Sequence, residues 1–378
     1  MRWNVKKFIL ILLCFIPFFV RAEVTLATNA RAALLLEAST GEIIFSKNPH
    51  EKLEPASLTK MMSMLLIVEA IDKSVLSWNQ VVTVSAHASS MGGSQILLET
   101  NERMTVEDLF KGIAIASGND AVVALAEKIA GTEENFVSLM NKRAKELGLT
   151  NTVFKNSHGL TTEGHYTTAN DLAKIALELV KHEEIFKYTS LYESYLRENT
   201  NRRLWLVNTN KLVRFYDGVD GLKTGYTKTA GYCLVATAKK NNMRILAIVL
   251  DEPSSELRNK EASEMLDYAY AQYELGTAIN TDKVLKKAKV EKGYKDEVEI
   301  VPSKKVTFLK NKMDEDPKID LTIDLNNIKA PIKKGDKVGT MKVRINNSYE
   351  VVELTVNEDI NKITFFQLLT RKFKLIFN

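Results

Sequence analysis

The chain has 378 residues, of which 45% are hydrophobic and 26% charged, and this composition excludes an intrinsically disordered protein. Its 52 basic and 47 acidic residues leave a net charge of +5, a balance too mixed to indicate a nucleic-acid partner. A chain of this length is expected to form two domains.

The N-terminal segment has the pattern of an export signal that is removed by cleavage. Basic residues precede an apolar run at positions 8–20, and small residues end the segment, which predicts cleavage after Ala22. The run is shorter than the roughly 20 residues that cross a bilayer, so a retained membrane anchor is the less favoured alternative. Cys14 lies inside this signal and only Cys233 remains in the mature chain, so no internal disulfide is expected.

The next segment combines a predicted hairpin with a helix that begins at Ser57. Residues 31–37 and 41–46 are short apolar runs on either side of a turn, which predicts a β-hairpin. Ser57 and Lys60 then open a run that is apolar on nearly all sides, and this predicts a buried helix. Burial lowers the pKa of a lysine and favours the neutral amine, which can activate a serine hydroxyl without a histidine. The simpler alternative is an ordinary helix start with a solvated lysine.

A polar corner between two predicted helices provides further candidate residues. A helix that is capped by Thr105 is interrupted at Ser117-Gly-Asn119, and a second helix follows. Such a corner can hold the side chains of Ser117 and Asn119 at the edge of a core. The alternative is ordinary helix capping by Asn119 or Asp120. The helices predicted in this part of the chain cover residues 105–115, 121–130, 134–147 and 168–182.

The sequence pattern changes to strands after Tyr216. Three strands and a closing helix are predicted, over residues 217–225, 232–238, 243–250 and 254–273. Asn241 and Asn242 between the last two strands predict a tight hairpin turn. Strands begin and end this part of the chain and helices lie between them. We therefore predict an α+β fold in which the first and last segments share one antiparallel sheet.

The chain after Gly276 differs in composition from the part before it. Alternating apolar and charged residues up to position 358 predict a small, lysine-rich all-β domain. The tail places phenylalanines on one helical face and basic residues opposite, which predicts an amphipathic helix in a membrane interface. A helix docked on the β domain is the alternative. The predicted division of the chain is a signal peptide 1–22, a first domain 23–275, a β-rich domain 276–358 and a membrane-anchoring helix 359–378.

Three short motifs occur in order along the chain, with S-x-x-K at Ser57, S-x-N at Ser117 and K-T-G at Lys223. This ordered set resembles the penicillin-recognising serine acyl-transferases. The flanking residues resemble those of the serine-type D-Ala-D-Ala carboxypeptidases, the low-molecular-mass type-5 penicillin-binding protein family. The segments that carry the resemblance are 55–62, 116–121, 156–160, 221–227 and 230–234. The resemblance implies a β-lactamase/transpeptidase-like fold and makes residues 23–275 the predicted catalytic domain.

The resemblance also implies an acyl-enzyme mechanism at Ser57. This serine would attack the carbonyl of the penultimate D-Ala and release the terminal D-Ala, leaving an acyl-enzyme that water cleaves. Lys60 would accept the proton of Ser57. Ser117 and Asn119 would relay protons and hold the substrate amide.

The same resemblance implies how the substrate is held and where the enzyme works. Lys223 would bind the substrate carboxylate with help from Thr224, and the strand that includes Gly225 would pair with the extended peptide. The backbone N–H groups of Ser57 and Tyr226 would form the oxyanion hole. Peptidoglycan stem peptides are the implied substrates and β-lactam antibiotics the implied covalent inhibitors, while no metal, cofactor or nucleic acid is implied. With the export signal and the tail, we expect the protein at the extracytoplasmic (periplasmic) face of the cytoplasmic membrane, peripherally anchored.

Other classes of protein share some of these features. A DD-endopeptidase on the same fold is not separated from a carboxypeptidase by sequence. A class A β-lactamase usually has S-D-N where this chain has Ser117-Gly-Asn119, and its E-x-x-L-N segment with the deacylating glutamate is absent here. A zinc peptidase would rest on His158, Glu163 and His165, whose spacing does not match H-E-x-x-H. A non-enzymatic wall-binding protein would have lost part of the motif set, which is complete in this chain.

Overall fold

The computed structural model describes residues 25–369 of the chain. The predicted signal peptide, residues 1–22, lies outside these described residues, as do residues 370–378 of the predicted tail helix. Within residues 25–369, no helix combines the length and the hydrophobicity needed to cross a bilayer.

Strands, a series of helices, further strands and a closing helix follow one another in the predicted order, which confirms the α+β fold class. The helices are α1 (Lys60–Asp72), α2 (Ala86–Ser89), α3 (Val106–Ala116), α4 (Asn119–Ala130), α5 (Glu133–Glu146), α6 (Ala169–Leu179), α7 (Phe186–Thr189), α8 (Leu212–Phe215) and α9 (Ser255–Gln272). The strands up to α9 are β1 (Ala32–Glu37), β2 (Ile43–Lys47), β3 (Val81–Thr83), β4 (Arg103–Thr105), β5 (Glu193–Leu196), β6 (Leu204–Val207), β7 (Val219–Thr227), β8 (Gly231–Lys240) and β9 (Met243–Glu252). The later strands are β10 (Tyr273–Ile279), β11 (Lys286–Lys289), β12 (Glu297–Pro302), β13 (Val306–Asn311), β14 (Ile319–Leu325), β15 (Lys337–Ile345) and β16 (Ser348–Val356).

A five-stranded antiparallel sheet of order β2-β1-β9-β8-β7 forms the centre of the first domain. Its first and last strands in sequence, β1 and β9, pair with each other, as the sequence predicts. Side chains of β1 alternate between two cores, because Leu34 and Leu36 join the core that contains α1 while Ala33 and Leu35 join the core that contains α9. Helices therefore cover both faces of the sheet, and β7 forms one of its edges.

Helix α1 lies inside the helical layer and has no solvent-facing stripe around Met61, Met62 and Leu65, whose side chains are fully buried. The chain enters α1 through a 3-10 turn, Ala56–Thr59, in which Ala56 has a φ of 46°. This left-handed residue and the tight turn that follows are incompatible with a regular α-helical start. The α-helix therefore begins at Lys60, which corrects the predicted start at Ser57.

The corner between α3 and α4 holds the second motif. Helix α3 is capped as predicted, because the Thr105 hydroxyl accepts a hydrogen bond from the Asp108 N–H at 3.1 Å. Ser117 follows α3 with a φ of 62°, and Gly118 is the N-cap of α4. Asn119 is therefore the first residue of α4, and the prediction of a helix start at position 121 was wrong by one half-turn.

The chain beyond α9 forms the predicted small all-β domain, with a five-stranded sheet of order β11-β12-β16-β15-β14 and a two-stranded β10–β13 pair. Along β12, Val298 and Ile300 are buried in a separate core while Glu297 is exposed. This alternation confirms the all-β prediction. Strand β10 follows α9 without a loop and spans the predicted domain boundary at residues 275/276.

Within the predicted tail segment, residues 359–378, the helix that the structure describes begins at residue 365. Phe365 and Phe366 are 72% and 78% exposed. Membrane anchoring by this segment stays a prediction.

Candidate active site

Lys60 is the centre of a buried hydrogen-bond cluster and is 0% exposed. Its Nζ donates to Asn119 Oδ1 at 2.6 Å and to the backbone carbonyl of His158 at 2.7 Å, and it lies 3.0 Å from Ser57 Oγ. In the neutral form of the amine, the first two bonds use both N–H groups. The lone pair then faces the Ser57 hydroxyl, so the geometry suits transfer of the Ser57 proton to Lys60.

Burial is the main reason that the pKa of Lys60 lies well below its ordinary value of 10.5. The nearby cation of Lys223 lowers this pKa further, while the Asp120 carboxylate acts in the opposite direction. The sequence predicts the same direction, because α1 is apolar on all sides. A lowered pKa increases the share of neutral amine, the form that can accept a proton.

Asn119 and Ser117 lie on the α3–α4 corner that faces Lys60. The Asn119 side chain is fixed from two sides, since its Nδ2 donates to the Gly92 carbonyl at 2.7 Å while its Oδ1 accepts from Lys60. The Asn119 backbone N–H also donates to the Ser94 carbonyl at 2.7 Å. Ser117 is 3% exposed, and within residues 25–369 its Oγ has no hydrogen-bond partner. A buried hydroxyl of this kind is free to bond a substrate or to relay a proton.

Asp120 holds the segment that forms one wall of the site. Its buried carboxylate accepts backbone hydrogen bonds from Ile96 and Leu98, each at 3.0 Å. These bonds fix the stretch that begins at Gly92, whose carbonyl orients Asn119. From its sequence, Asp120 is expected only as a possible helix cap, although it directly follows the S-x-N motif.

The K-T-G motif lies on the edge strand β7, against the turn that carries Ser57. A Cβ on Gly225 would lie 3.0 Å from the Pro55 carbonyl oxygen and 3.2 Å from the Ala56 Cβ, so glycine allows the strand to approach the turn this closely. Thr224 is 6% exposed and donates from Oγ1 to Thr209 Oγ1 at 2.7 Å. The edge of β7 therefore borders the turn that carries Ser57.

The predicted oxyanion-hole residues lie on these same two elements. Ser57 is in the 3-10 turn and Tyr226 directly follows Gly225 on β7. The Tyr226 ring is exposed and lies over Tyr232, with ring centroids 4.3 Å apart. The two predicted backbone donors thus belong to elements that pack against each other.

Lys223 is the second buried amine of the site, and its Nζ donates to the Thr224 carbonyl at 3.1 Å. Burial, followed by the nearby Arg258 cation, lowers the pKa of Lys223 to about 7. Arg258 is a buried residue of α9 that could not be assigned to the site from the sequence, because no motif marks it. Lys223 therefore titrates close to neutral pH.

The histidines considered for a zinc peptidase have other partners. His158 offers its backbone carbonyl to Lys60, and His165 Nε2 lies 3.0 Å from Thr59 Oγ1. Glu163, the remaining member of that set, is exposed. In the part of the chain that the structure describes, these three side chains do not form a group that could hold a metal ion.

The fold and the site define a serine hydrolase in which a buried lysine lies beside the nucleophile. A family profile described as D-alanyl-D-alanine carboxypeptidase matches residues 20–254, and one described as penicillin-binding protein 5, C-terminal domain, matches residues 273–362. The chain belongs to the D-alanyl-D-alanine carboxypeptidase family of serine-type peptidases. This confirms the resemblance predicted from the motifs.

Bacterial relatives cover most of the chain. D-alanyl-D-alanine carboxypeptidase DacF of Bacillus subtilis is 49% identical over 348 residues, which are 92% of this chain and 90% of that protein. D-alanyl-D-alanine carboxypeptidase DacC of Escherichia coli is 35% identical over 372 residues, which are 94% of this chain and 91% of that protein.

Solved structures agree with these relatives. Penicillin-binding protein 5 from Haemophilus influenzae has a TM-score of 0.72 at 29% identity, covering 90% of this chain and 99% of that chain. Penicillin-Binding Protein D2 from Listeria monocytogenes, in its ampicillin-bound form, has a TM-score of 0.58 at 30% identity, covering 64% of this chain and 98% of that chain. These likenesses confirm the predicted fold.

Proposed function

We propose that this chain is a serine D-alanyl-D-alanine carboxypeptidase that removes the terminal D-Ala from peptidoglycan pentapeptide stems through an acyl-enzyme on Ser57. The observation that carries the proposal is the buried Lys60 amine, 3.0 Å from Ser57 Oγ and with a lowered pKa. The names of the relatives support the same substrate class.

Acylation begins with attack of Ser57 Oγ on the carbonyl carbon that joins the two D-Ala residues. As the new O–C bond forms, the hydroxyl proton passes to Lys60 Nζ, and the backbone N–H groups of Ser57 and Tyr226 bind the oxyanion. The C–N bond then breaks, and the leaving amine takes the proton from Lys60 through the Ser117 hydroxyl. The products are free D-Ala and an ester on Ser57.

Deacylation follows the same route with water as the nucleophile. Lys60 takes a proton from the water as it attacks the ester carbonyl. The C–O bond to Ser57 breaks, and the serine oxygen recovers the proton from Lys60. The shortened stem peptide leaves with a free carboxylate.

Substrate binding is assigned to the K-T-G strand and to Asn119. The edge of β7 pairs with the extended peptide around Gly225, while Lys223 binds the terminal carboxylate together with Thr224, whose hydroxyl turns from Thr209 to donate to it. Asn119 Nδ2 uses one N–H for the Gly92 carbonyl and has a second N–H for the substrate amide.

The acyl-enzyme is tested by incubation with a penicillin, followed by intact-mass measurement and peptide mapping. We expect a covalent adduct on Ser57 and none in a Ser57→Ala variant; a wild-type chain without an adduct would contradict the serine mechanism. Rapid hydrolysis of the penicillin would instead indicate a β-lactamase.

The substrate is tested by measuring free D-Ala. We expect release from a soluble pentapeptide by the wild type and not by Ser57→Ala. Activity on crosslinked dimers alone would reassign the chain as a DD-endopeptidase, the alternative on this fold.

We also propose that the protein is exported and acts at the extracytoplasmic (periplasmic) face of the cytoplasmic membrane, where the tail holds it peripherally. The N-terminal pattern and the exposed rings of Phe365 and Phe366 support this location. A chain that lacks residues 360–378 is expected to leave the membrane fraction while it still releases D-Ala from soluble peptide. If the shortened chain still sediments with membranes, the tail is not the anchor.

A further inference from the structure

Glu133 is a buried carboxylate close to, but outside, the catalytic motifs. It is the first residue of α5 and is 8% exposed. Its Oε1 accepts hydrogen bonds from the Ser157 backbone N–H at 2.9 Å and from the Ser157 hydroxyl at 2.7 Å. Its Oε2 lies 3.2 Å from Nε2 of His87, a half-exposed residue of α2. The carboxylate therefore anchors the backbone at Ser157.

The loop anchored by Glu133, residues 156–160, supports the catalytic cluster directly. Its His158 carbonyl is one of the acceptors of Lys60, and its Ser157 carbonyl accepts from the Ser63 hydroxyl on α1 at 2.6 Å. Any shift of this loop would therefore move the acceptor that holds the catalytic amine.

The electrostatic state of the cluster is consistent with an anchoring role. The Leu160 N–H donates to His158 Nδ1 at 3.2 Å, which places the ring proton on Nε2, 3.5 Å from Glu133 Oε1. Burial lowers the pKa of His158 to about 4, so the ring is neutral at pH 7. Burial alone would raise the pKa of Glu133, but the two bonds from Ser157, together with the interactions of His158 and His87, outweigh it and the pKa is lowered. Glu133 is thus an ionised acceptor at neutral pH.

We propose that Glu133 is a positioning residue for acylation, which fixes the Ser157–His158 peptide so that the His158 carbonyl holds Lys60 Nζ beside Ser57. This inference rests on the proposed function, in which Lys60 is the base. A hydrogen bond to a carbonyl favours the protonated amine. Loss of the anchor is therefore expected to misplace Lys60 and to lower its pKa further. The charged and titratable groups that face this cluster are Lys223, Asp120, His87, His158 and His165.

The test is the second-order rate of acylation by a penicillin, measured against pH on the full chain. For Glu133→Ala we expect a maximal acylation rate about tenfold to 100-fold lower than that of the wild type. We also expect the acidic limb of its pH profile to move to lower pH, because the pKa of Lys60 falls. Glu133→Gln keeps an acceptor for the Ser157 N–H and is expected to recover part of the rate. The matched control is Glu134→Gln, an exposed neighbour on the same turn, whose profile should equal that of the wild type.

Each outcome separates the inference from the proposed function. A folded Glu133→Ala variant whose acylation rate and acidic limb of the pH profile both equal those of the wild type overturns the positioning role. A lower acylation rate without a shift of the acidic limb also overturns it, because that result indicates general destabilisation. If Glu133→Ala does not fold, the acylation rate and the acidic limb are measured for Glu133→Gln and Ser157→Ala instead, and the same two results overturn the positioning role. A wild-type chain that is not acylated at all would instead refute the proposed function.

Discussion

Replacement of Gly159 with alanine tests whether the 156–160 loop must lie directly against the 3-10 turn that carries Ser57. Gly159 has a φ of 93°, and a Cβ at this position would lie 1.8 Å from the carbonyl oxygen of Ala56. Real Cβ contacts essentially never fall below 3.0 Å, so the difference from 1.8 Å requires the loop or the turn to move by 1.2 Å or more. Because the obstacle is backbone, no side-chain rotation can relieve the clash.

A shift of this size separates the His158 carbonyl from Lys60, which it contacts at 2.7 Å. Misplacement by about 1 Å costs about 100-fold in rate, so Gly159→Ala is expected to slow acylation by a penicillin by about that factor. The left-handed backbone adds about 1–2 kcal/mol of destabilisation. Stopped-flow measurement of acylation and a thermal melt separate the two effects.

The matched control is Gly148→Ala. Gly148 has a φ of 66°, and a Cβ added to it would meet no atom of the described chain within 4 Å beyond its immediate neighbours in sequence. The Gly148→Ala variant therefore has the strain of a left-handed alanine backbone without a steric clash. This variant should melt at a lower temperature and acylate at the normal rate. A folded Gly159→Ala variant with the wild-type acylation rate would refute the argument that this loop contact holds the catalytic lysine.

Further predictions follow from the charges of the site. Lys60→Arg should lower acylation about 100-fold or more, because arginine stays protonated and cannot accept the Ser57 proton; acylation near the wild-type rate would exclude Lys60 as the base. In the wild type, kcat/KM for a pentapeptide should rise with pH as Lys60 loses its proton and fall above about pH 7, where Lys223 loses the charge that binds the carboxylate; a flat profile would contradict both roles. Lys223→Gln should raise KM more than it lowers kcat, and an unchanged KM would contradict carboxylate binding. Asp120→Asn should destabilise the fold by about 1–3 kcal/mol, because an amide cannot accept all the backbone bonds of this carboxylate; an unchanged urea midpoint would show that the wall does not depend on it.

Local spacing was sufficient to predict that the side chains of Ser57 and Lys60 lie together, whereas their roles as nucleophile and base came from the ordered motifs and the family resemblance. Ser57 and Lys60 are three residues apart, and a 3-10 turn leading into α1 brings them together almost as a regular helix would. The central sheet could also be predicted from the sequence, because the strand patterns and the Asn241-Asn242 turn are short-range signals. Both asparagines adopt the positive φ angles, 48° and 63°, that such a turn requires.

The remaining partners of Lys60 come from distant parts of the chain, so local spacing could not predict them, and Asn119 was assigned to the site only through the family resemblance. Asn119 is 59 residues away and the His158 carbonyl is 98 residues away. A backbone carbonyl also has no residue-type signature, so no motif could identify it as an acceptor. The role of Glu133 could not be predicted for a related reason. At the start of α5 it resembles an ordinary acidic residue in a first helical turn.

The two buried amines also have a consequence for folding. In the unfolded chain Lys60 and Lys223 are hydrated and protonated at neutral pH, whereas in the folded chain burial lowers both pKa values. The native state therefore bears an unfavourable desolvation at two positions of its own core. Apolar replacements of similar length, such as Lys60→Met, should produce an inactive chain that resists thermal unfolding better than the wild type. On the proposed function, the protein keeps a less stable core because only the lysine supports turnover.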